Sequence, residues 1–304
     1  MSNGIDFRPC PVCEQSHGRR LWEKGALRLV QCLDCAMVYA DAVPAGLASG
    51  RYYERRSYYL SPDKLDSDYT PIRFERELRL FRAWCREGTV LDVGCSTGGF
   101  LHQLRSRFPQ AYEVLGADVP GPALDYAESR GLPVSRQGFP DFDSSEPRFD
   151  AITFWAVMEH LERPKRFLEK AARLLKPGGH CFILVPNLRS LAVRLLGPKY
   201  RYIMAEHLNY FTPSTLRAFT TRLGDFEIVE LGSSHFNPVV LWQDFWSAGT
   251  EVPDEERGRL LKRTTAWKQR PALKPLQLLY EGVERLLGFM ALADNLFVVL
   301  RRKS

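Results

Sequence analysis

The sequence predicts an α/β protein: a mostly parallel sheet with helices on both faces. Three observations carry that prediction. Short apolar runs alternate with amphipathic stretches from residue 72 onward. One run, Leu91-Asp92-Val93, breaks into the turn Gly94-Cys95-Ser96-Thr97-Gly98. A helical pattern from Pro164 to Leu175 is opened by proline and closed by Lys176-Pro177-Gly178-Gly179, the favoured punctuation at those ends. With 304 residues, 45% hydrophobic and 26% charged, the composition is that of a soluble globular protein with a sizeable core. No apolar run reaches membrane-spanning length and the start MSNGIDFRPCPVC has no signal-peptide hydrophobic region, so a cytoplasmic location is expected. The net charge of +6 is too mild to require nucleic acid, although it suits an anionic substrate.

Residues 1–45 are expected to form a zinc ribbon. Cys10-Pro11-Val12-Cys13 and Cys32-Leu33-Asp34-Cys35 are two CxxC knuckles with eighteen residues between their inner cysteines. A piece this small has too little core to fold without a staple, and four sulfur ligands leave Zn2+ no open position, so the metal is expected to be structural. Residues 46–71 form a tyrosine-rich linker, with Tyr52, Tyr53, Tyr58 and Tyr59 set among arginines. Their rings suit packing between ribbon and main domain, or a place at the mouth of an active site.

Residues 72–304 carry the α/β pattern. Phe74, Leu78, Phe81 and Cys85 share one helical face, ended by Gly88. Strands are expected at 89–93, 113–117, near Val134, and at 149–155, 181–185, 226–231 and 295–300, with helices from Phe100, Pro122, Pro164 and Thr212-Pro213 between them. Before the last strand lies an insertion at about 236–292. It opens with Phe236, Trp242, Phe245 and Trp246, passes through a basic stretch, and regains helical periodicity from Leu276 to Met290. A helical decoration, a dimerisation element, a substrate lid and a helix touching a membrane surface all suit it.

Three chemistries compete for the glycine turn. Gly94-Cys95-Ser96-Thr97-Gly98 spells the GxSxG of a hydrolase nucleophile elbow, but no upstream strand is available to supply an oxyanion donor. A nicotinamide site would carry glycine where Ser96 stands. Asp92, inside the strand, favours a ligand with an ammonium group, because a buried carboxylate is costly without a partner. Asp118, twenty-four residues after Gly94 and at the end of the next strand, can accept both hydroxyls of a ribose.

The segments LDVGCSTGGF, GADVP, FDAITFWAVMEHLERP and LLKPGGHCFILVPN, in this order and spacing, resemble the successive motifs of class I S-adenosylmethionine-dependent methyltransferases. The resemblance spans about Phe74 to Leu231. It implies a Rossmann-like, seven-stranded sheet and an S-adenosylmethionine site at Asp92, Gly94, Cys95, Ser96, Gly98, Asp118 and Val119. Phe139 is a candidate to face the adenine, and Phe154 and Trp155 to flank the methionine arm, with plain core packing as the alternative for all three.

The ribbon, the linker and Ala205-Glu206-His207-Leu208-Asn209-Tyr210-Phe211 are similar to a bacterial subgroup that includes sugar C-methyltransferases, in which a Glu-His pair belongs to the active site. By that resemblance Glu206 and His207 are candidate catalytic residues and the acceptor is a sugar, glycan precursor or other small metabolite. His207 would act as general base, with capping or packing of the loop as the alternative; Glu206 would orient it or be solvated. His160, in Met158-Glu159-His160-Leu161, is the other histidine near the expected cleft, with a structural role as its alternative. Two further functions stay open: an RNA base methyltransferase, for which the basic run from Arg257 to Lys274 speaks, and a non-catalytic cofactor-binding scaffold.

Overall fold

A computed structural model describes residues 5–44, 57–143, 148–247 and 274–304, together with 146, 249, 253, 256, 258–260 and 262–263. Near the N-terminus lie β1 (Ile5–Phe7), β2 (Gly18–Lys24), β3 (Leu27–Cys32), β4 (Val38–Ala40) and β5 (Ala42–Pro44). Helices α1 (Pro62–Asp68) and α2 (Glu75–Trp84) lead into the main sheet. There follow β6 (Gly88–Val93), α3 (Gly99–Arg107), β7 (Tyr112–Ala117), α4 (Pro122–Ser129), β8 (Val134–Ser135) and β9 (Phe149–Trp155). Beyond them come α5 (Pro164–Leu174), β10 (Leu175–Pro186), α6 (Leu191–Leu196), β11 (Asn209–Tyr210), α7 (Pro213–Thr221) and β12 (Phe226–Ser234). The chain closes with α8 (Pro238–Trp246), α9 (Lys274–Phe289) and β13 (Asn295–Arg302).

The main sheet has seven strands in the order β12-β13-β10-β9-β6-β7-β8. Pairing is parallel from β10 to β8, and β13 runs antiparallel to both of its neighbours. Alternate residues of each strand point to opposite faces, so the sheet carries two cores. Leu91, Ile152, Phe154 and Ile183 pack on one face with Leu168, Leu174 and Phe219 of α5 and α7. Val90, Ala151 and Phe182 pack on the other with Phe81, Leu101 and Leu124 of α2, α3 and α4. Chain order reverses between β6 and β9, which makes the carboxyl ends of these two strands the place where such a sheet leaves a crevice.

The strands expected at 226–231 and 295–300 run on to Ser234 and Arg302, and two other stretches differ more. The strand expected at 181–185 begins at Leu175, and its register shifts between Leu175 and His180, because Lys176-Pro177-Gly178-Gly179 forms a bulge within it. Residues 62–68, expected as linker, form α1, with Pro62 in its first turn and Lys64, Ser67 and Asp68 buried. Tyr52 and Tyr53 lie outside the described residues.

The N-terminal module does not stand alone. Its sheet has the order β11-β4-β3-β2, so its fourth strand is Asn209-Tyr210, supplied from the far end of the methyltransferase-like sequence. The module expected at residues 1–45 therefore shares a sheet with the segment that contains Glu206 and His207. The insertion before β13 holds α8 and α9; Arg257, Lys268 and Arg270 of its basic stretch lie outside the described residues.

Candidate cofactor and acceptor site

The glycine turn follows β6 and opens α3. Gly94 has φ +75°, and a Cβ there would meet Val157 at 2.5 Å. Gly98 has φ +79°, and its Cβ would meet Leu132 at 2.2 Å. Both positions therefore require glycine for backbone angle and for space. Ser96 also sits in the left-handed region, at φ 51°. Its amide donates to Asp118 Oδ2 at 2.6 Å, while the Val119 amide donates to Oδ1 at 2.7 Å. The Ser96 main chain thus pins the turn to the end of β7, while its buried Oγ has no hydrogen-bond partner. Gly116 keeps that junction tight, since a Cβ there would meet Cys95 Sγ at 2.7 Å.

Asp92 faces Thr153 across the parallel pair β6 and β9, and the Thr153 hydroxyl donates to its Oδ1 at 2.6 Å. Burial pushes the Asp92 carboxyl up to about 7, against the Thr153 hydrogen bond and with the help of nearby Asp118. Burial likewise raises the Asp118 carboxyl, while the two amide donors and Lys64 oppose the rise. Two carboxylates held at the crevice can receive a cationic group and a diol.

Residues absent from the sequence-based expectation close one side of the turn. Tyr69 donates to the Thr97 main-chain oxygen at 2.6 Å, and Thr97 donates to Asp68 Oδ2 at 3.1 Å. Asp68 also pairs with the buried Lys64. The only sequence signal for this contact is Ser61-Pro62-Asp63, a helix start.

At the carboxyl end of β9 the structure brings together two Glu-His pairs. His160 Nδ1 lies 2.9 Å from the Glu206 main-chain oxygen, and His207 Nδ1 lies 2.9 Å from that of Tyr202. A carbonyl oxygen only accepts, so each Nδ1 carries the proton and each Nε2 is the basic nitrogen. The two rings meet edge to face at 4.7 Å, and Tyr202 lies parallel to His207 at 6.3 Å. Glu159 is buried, with Oε1 3.9 Å from His160 Nε2 and Oε2 lacking a hydrogen-bond partner. Burial pushes its carboxyl up to about 8. Glu159, which the sequence offered only as a neighbour of His160, thereby joins the site. Glu206 meets His160 through its main chain.

The loop of Glu206 and His207 is sewn to this region by main-chain and side-chain hydrogen bonds. The Glu159 carbonyl accepts from Leu208 and Asn209 at 2.6 and 3.0 Å, and Asn209 Nδ2 donates to the carbonyls of Met158 and Leu161, each at 2.7 Å. Arg8, itself buried, donates to the carbonyls of Ala40 and Glu162 at 2.8 and 2.7 Å and to that of Leu208 at 2.5 Å. One guanidinium thus ties the N-terminal module to both Glu-His segments.

Phe139 and Phe154 are buried and meet edge to face at 5.7 Å within the core, which favours the packing alternative for both. Trp155 is half-buried, packs on Phe100 and Phe182, and leaves Nε1 without a partner.

The sulfurs of Cys10, Cys13, Cys32 and Cys35 all lie within 4.8 Å of one another, with Cys10 to Cys35 and Cys13 to Cys32 each 3.4 Å apart. None forms a disulfide. Glu14 and Ala36, each four residues past the first cysteine of its knuckle, both have φ 62°, so the two loops share one backbone turn. Such a cage fits a tetrahedral thiolate-bound ion.

Residues 70–231 match the model of a methyltransferase domain family, more than half of the chain. The protein belongs to this family and is a Rossmann-fold, S-adenosylmethionine-dependent methyltransferase. It is 35% identical over 146 residues to the ubiquinone biosynthesis O-methyltransferase of Alkalilimnicola ehrlichii, an alignment spanning 44% of this chain and only 56% of that protein. To the protein of the same name in Serratia proteamaculans it is 27% identical over 209 residues, spanning 62% of this chain and 83% of the other. Among solved structures, the fold resembles phosphoethanolamine N-methyltransferase 2 of Haemonchus contortus in complex with S-adenosylmethionine (TM-score 0.52, 15% identity, 94% of this chain and 71% of that one). It also resembles a chain from the complex of the Haloferax volcanii Trm112 methyltransferase activator with a methyltransferase (TM-score 0.52, 17% identity, 86% and 97%).

Proposed function

We propose that the protein transfers the methyl group of S-adenosylmethionine to a hydroxyl of a small-molecule acceptor, with the ribbon cysteines holding a structural zinc ion. The acceptor would lie beside His160 and His207, at the carboxyl edge of the sheet. The cofactor supplies an electrophilic methyl on a sulfonium. Asp92 would offset its ammonium group, directly or through water, and Asp118 would accept from its ribose, with the amides around Cys95, Ser96 and Val119 shaping the cradle. His207 Nε2 would take the proton as the acceptor oxygen bonds to the methyl carbon and the carbon-sulfur bond breaks, its electron pair staying on sulfur. The tautomer imposed by the Tyr202 carbonyl carries this reading, because it puts the basic nitrogen on the ring edge away from the main chain.

The relatives named as O-methyltransferases support oxygen as the attacked atom. Sugar or glycan acceptors rest on the resemblance carried by the ribbon, the linker and the Ala205–Phe211 segment, so a sugar hydroxyl and a phenolic hydroxyl are the two acceptor classes to compare. Incubation with labelled S-adenosylmethionine, a panel of catechols and a panel of sugar phosphates and nucleotide sugars should give a labelled ether with one class. His207→Ala should cut turnover by about a hundredfold to ten-thousandfold while S-adenosylhomocysteine still binds. Unchanged turnover in that variant would remove the base from the mechanism.

A further inference from the structure

Helices α8 and α9 are apolar on their outer sides. On α8, Val239, Trp242, Phe245 and Trp246 are exposed at a spacing that keeps them on one face, while Val240 and Asp244 turn inward. Trp242 is 65% exposed and Trp246 67%. On α9, Leu279, Val283 and Leu286 form a second exposed row that Met290 continues just past the helix end, Phe289 beside it is 90% exposed, and Glu284 and Leu287 turn inward. Both helices are anchored in one small core, where Leu241 of α8 and Tyr280 and Leu287 of α9 surround Phe236 and Ala293. Scattered exposed apolar side chains need no explanation, but two rows rich in tryptophan, phenylalanine and leucine do.

The chain that joins the two helices begins acidic, with Glu251, Asp254, Glu255 and Glu256, and continues as a basic run of Arg257, Arg259, Lys262, Arg263, Lys268 and Arg270, with Lys274 opening α9. Lys262 reaches Asp63 and Asp66 of α1, which ties this segment to the body of the protein. Indole and phenyl rings prefer the interfacial zone of a bilayer, and basic residues next to them are drawn to anionic headgroups.

From this pairing of apolar rows with a basic run we infer that the insertion seats the enzyme peripherally on an anionic phospholipid surface, α8 and α9 lying along it. Among the described residues no helix is long and apolar enough to cross a membrane, which suits a helix pair that lies on the surface. The seat adjoins the acceptor end. Asp244 of α8 accepts from the Arg201 amide and from its Nε, both at 2.8 Å, and the residue after Arg201 holds His207.

The full chain is incubated with vesicles of phosphatidylcholine alone and of phosphatidylcholine with phosphatidylglycerol, then sedimented. Binding to the anionic vesicles at low salt is expected, weakening as salt rises, with little on the neutral ones. Trp242→Asp with Trp246→Asp should lower vesicle affinity about tenfold to a hundredfold. Lys268→Gln and Arg270→Gln should each lower it about fivefold. A circular dichroism spectrum and S-adenosylhomocysteine affinity like those of the parent establish that the variants are folded. Should they unfold, quenching of the parent protein's tryptophan emission by brominated lipid decides, and its absence overturns the inference. Failure of the parent to sediment with anionic vesicles at low salt also overturns it, as does a concentration-dependent dimer abolished by the tryptophan changes with no vesicle binding. Methyl transfer to a soluble acceptor is measured separately, so loss of vesicle binding leaves the proposed reaction standing.

Discussion

Arg8 Nη2 donates to Asn209 Oδ1 at 2.9 Å, joining residues 201 positions apart in the chain. Asn209 uses its amide nitrogen on Met158 and Leu161, so this one contact links the cysteine module to the loop of Glu206 and His207 and to the loop of Glu159 and His160. Burial lowers the Arg8 guanidinium to about 10, still charged at neutral pH.

Arg8→Gln should therefore act on turnover more than on cofactor binding. Several carbonyls lose a donor, and the fold should lose about 3 kcal/mol or more in urea unfolding. S-adenosylhomocysteine affinity should hold, since the glycine turn makes none of these bonds, while kcat drops. Equal losses in affinity and kcat would reduce Arg8 to a general stabiliser.

The raised carboxyl of Asp92 makes cofactor binding pH-dependent. An ammonium-bearing ligand favours the ionised form, so affinity for S-adenosylhomocysteine should rise about tenfold per pH unit up to about pH 7 and then level off. Stability without ligand runs the other way. Between the ordinary carboxyl pKa of 3.8 and about 7 the unfolded chain binds fewer protons than the fold, so this group's contribution is lost as pH rises through that window. Calorimetric titration on either side of neutrality tests this, and Asp92→Asn should flatten the slope.

Gly98→Ala should lower stability by about 1–2 kcal/mol and weaken S-adenosylhomocysteine binding, because the backbone angle disfavours a side chain and the new methyl would displace Leu132 Cδ1, 2.2 Å away. Ser96→Gly should preserve binding and raise stability by about 1 kcal/mol, since the amide bond to Asp118 remains, the Ser96 Oγ bonds no protein group and the backbone angle favours glycine. A loss of activity in Ser96→Gly with binding intact would return the hydroxyl to the mechanism.

One zinc ion per chain should be found by elemental analysis, held by the four cysteine sulfurs. Cys13→Ser, or a strong chelator, should remove it and lower the melting temperature. Turnover should fall with the metal, because β4 pairs with Asn209-Tyr210 next to His207. Retention of full activity without metal would separate the ribbon from the loop of Glu206 and His207.

Much of the main sheet was legible in the sequence because its signals are local. The turn Gly94 to Gly98, the start at Pro164 and the Thr212 and Thr215 capping box each act within a few residues. The strand at 149–155 was read to its ends. Helix α1 was missed because its Asp68 is covered by Thr97, 29 residues away in sequence, and seven residues carry too little periodicity to announce a helix. At the candidate site, the cysteines, the glycines, Asp92 and Asp118 stood out by residue type and spacing, His207 through the family resemblance and His160 by its place after the fourth strand, whereas Arg8, Tyr69, Glu159 and Tyr202 did not stand out. An arginine or a tyrosine has no motif until the chain that surrounds it is known.

The sequence by itself determined the class of fold, the methyl-donor motifs and the four-cysteine set, since strand alternation, glycine angles and CxxC knuckles depend on neighbours along the chain. Only the tertiary structure decided that Asn209-Tyr210 completes the N-terminal sheet, that the Ser96 amide donates to Asp118, and that two Glu-His pairs lie together. Each of those relations depends on hydrogen bonds between segments far apart in sequence, and their partners are chosen by packing of the whole chain.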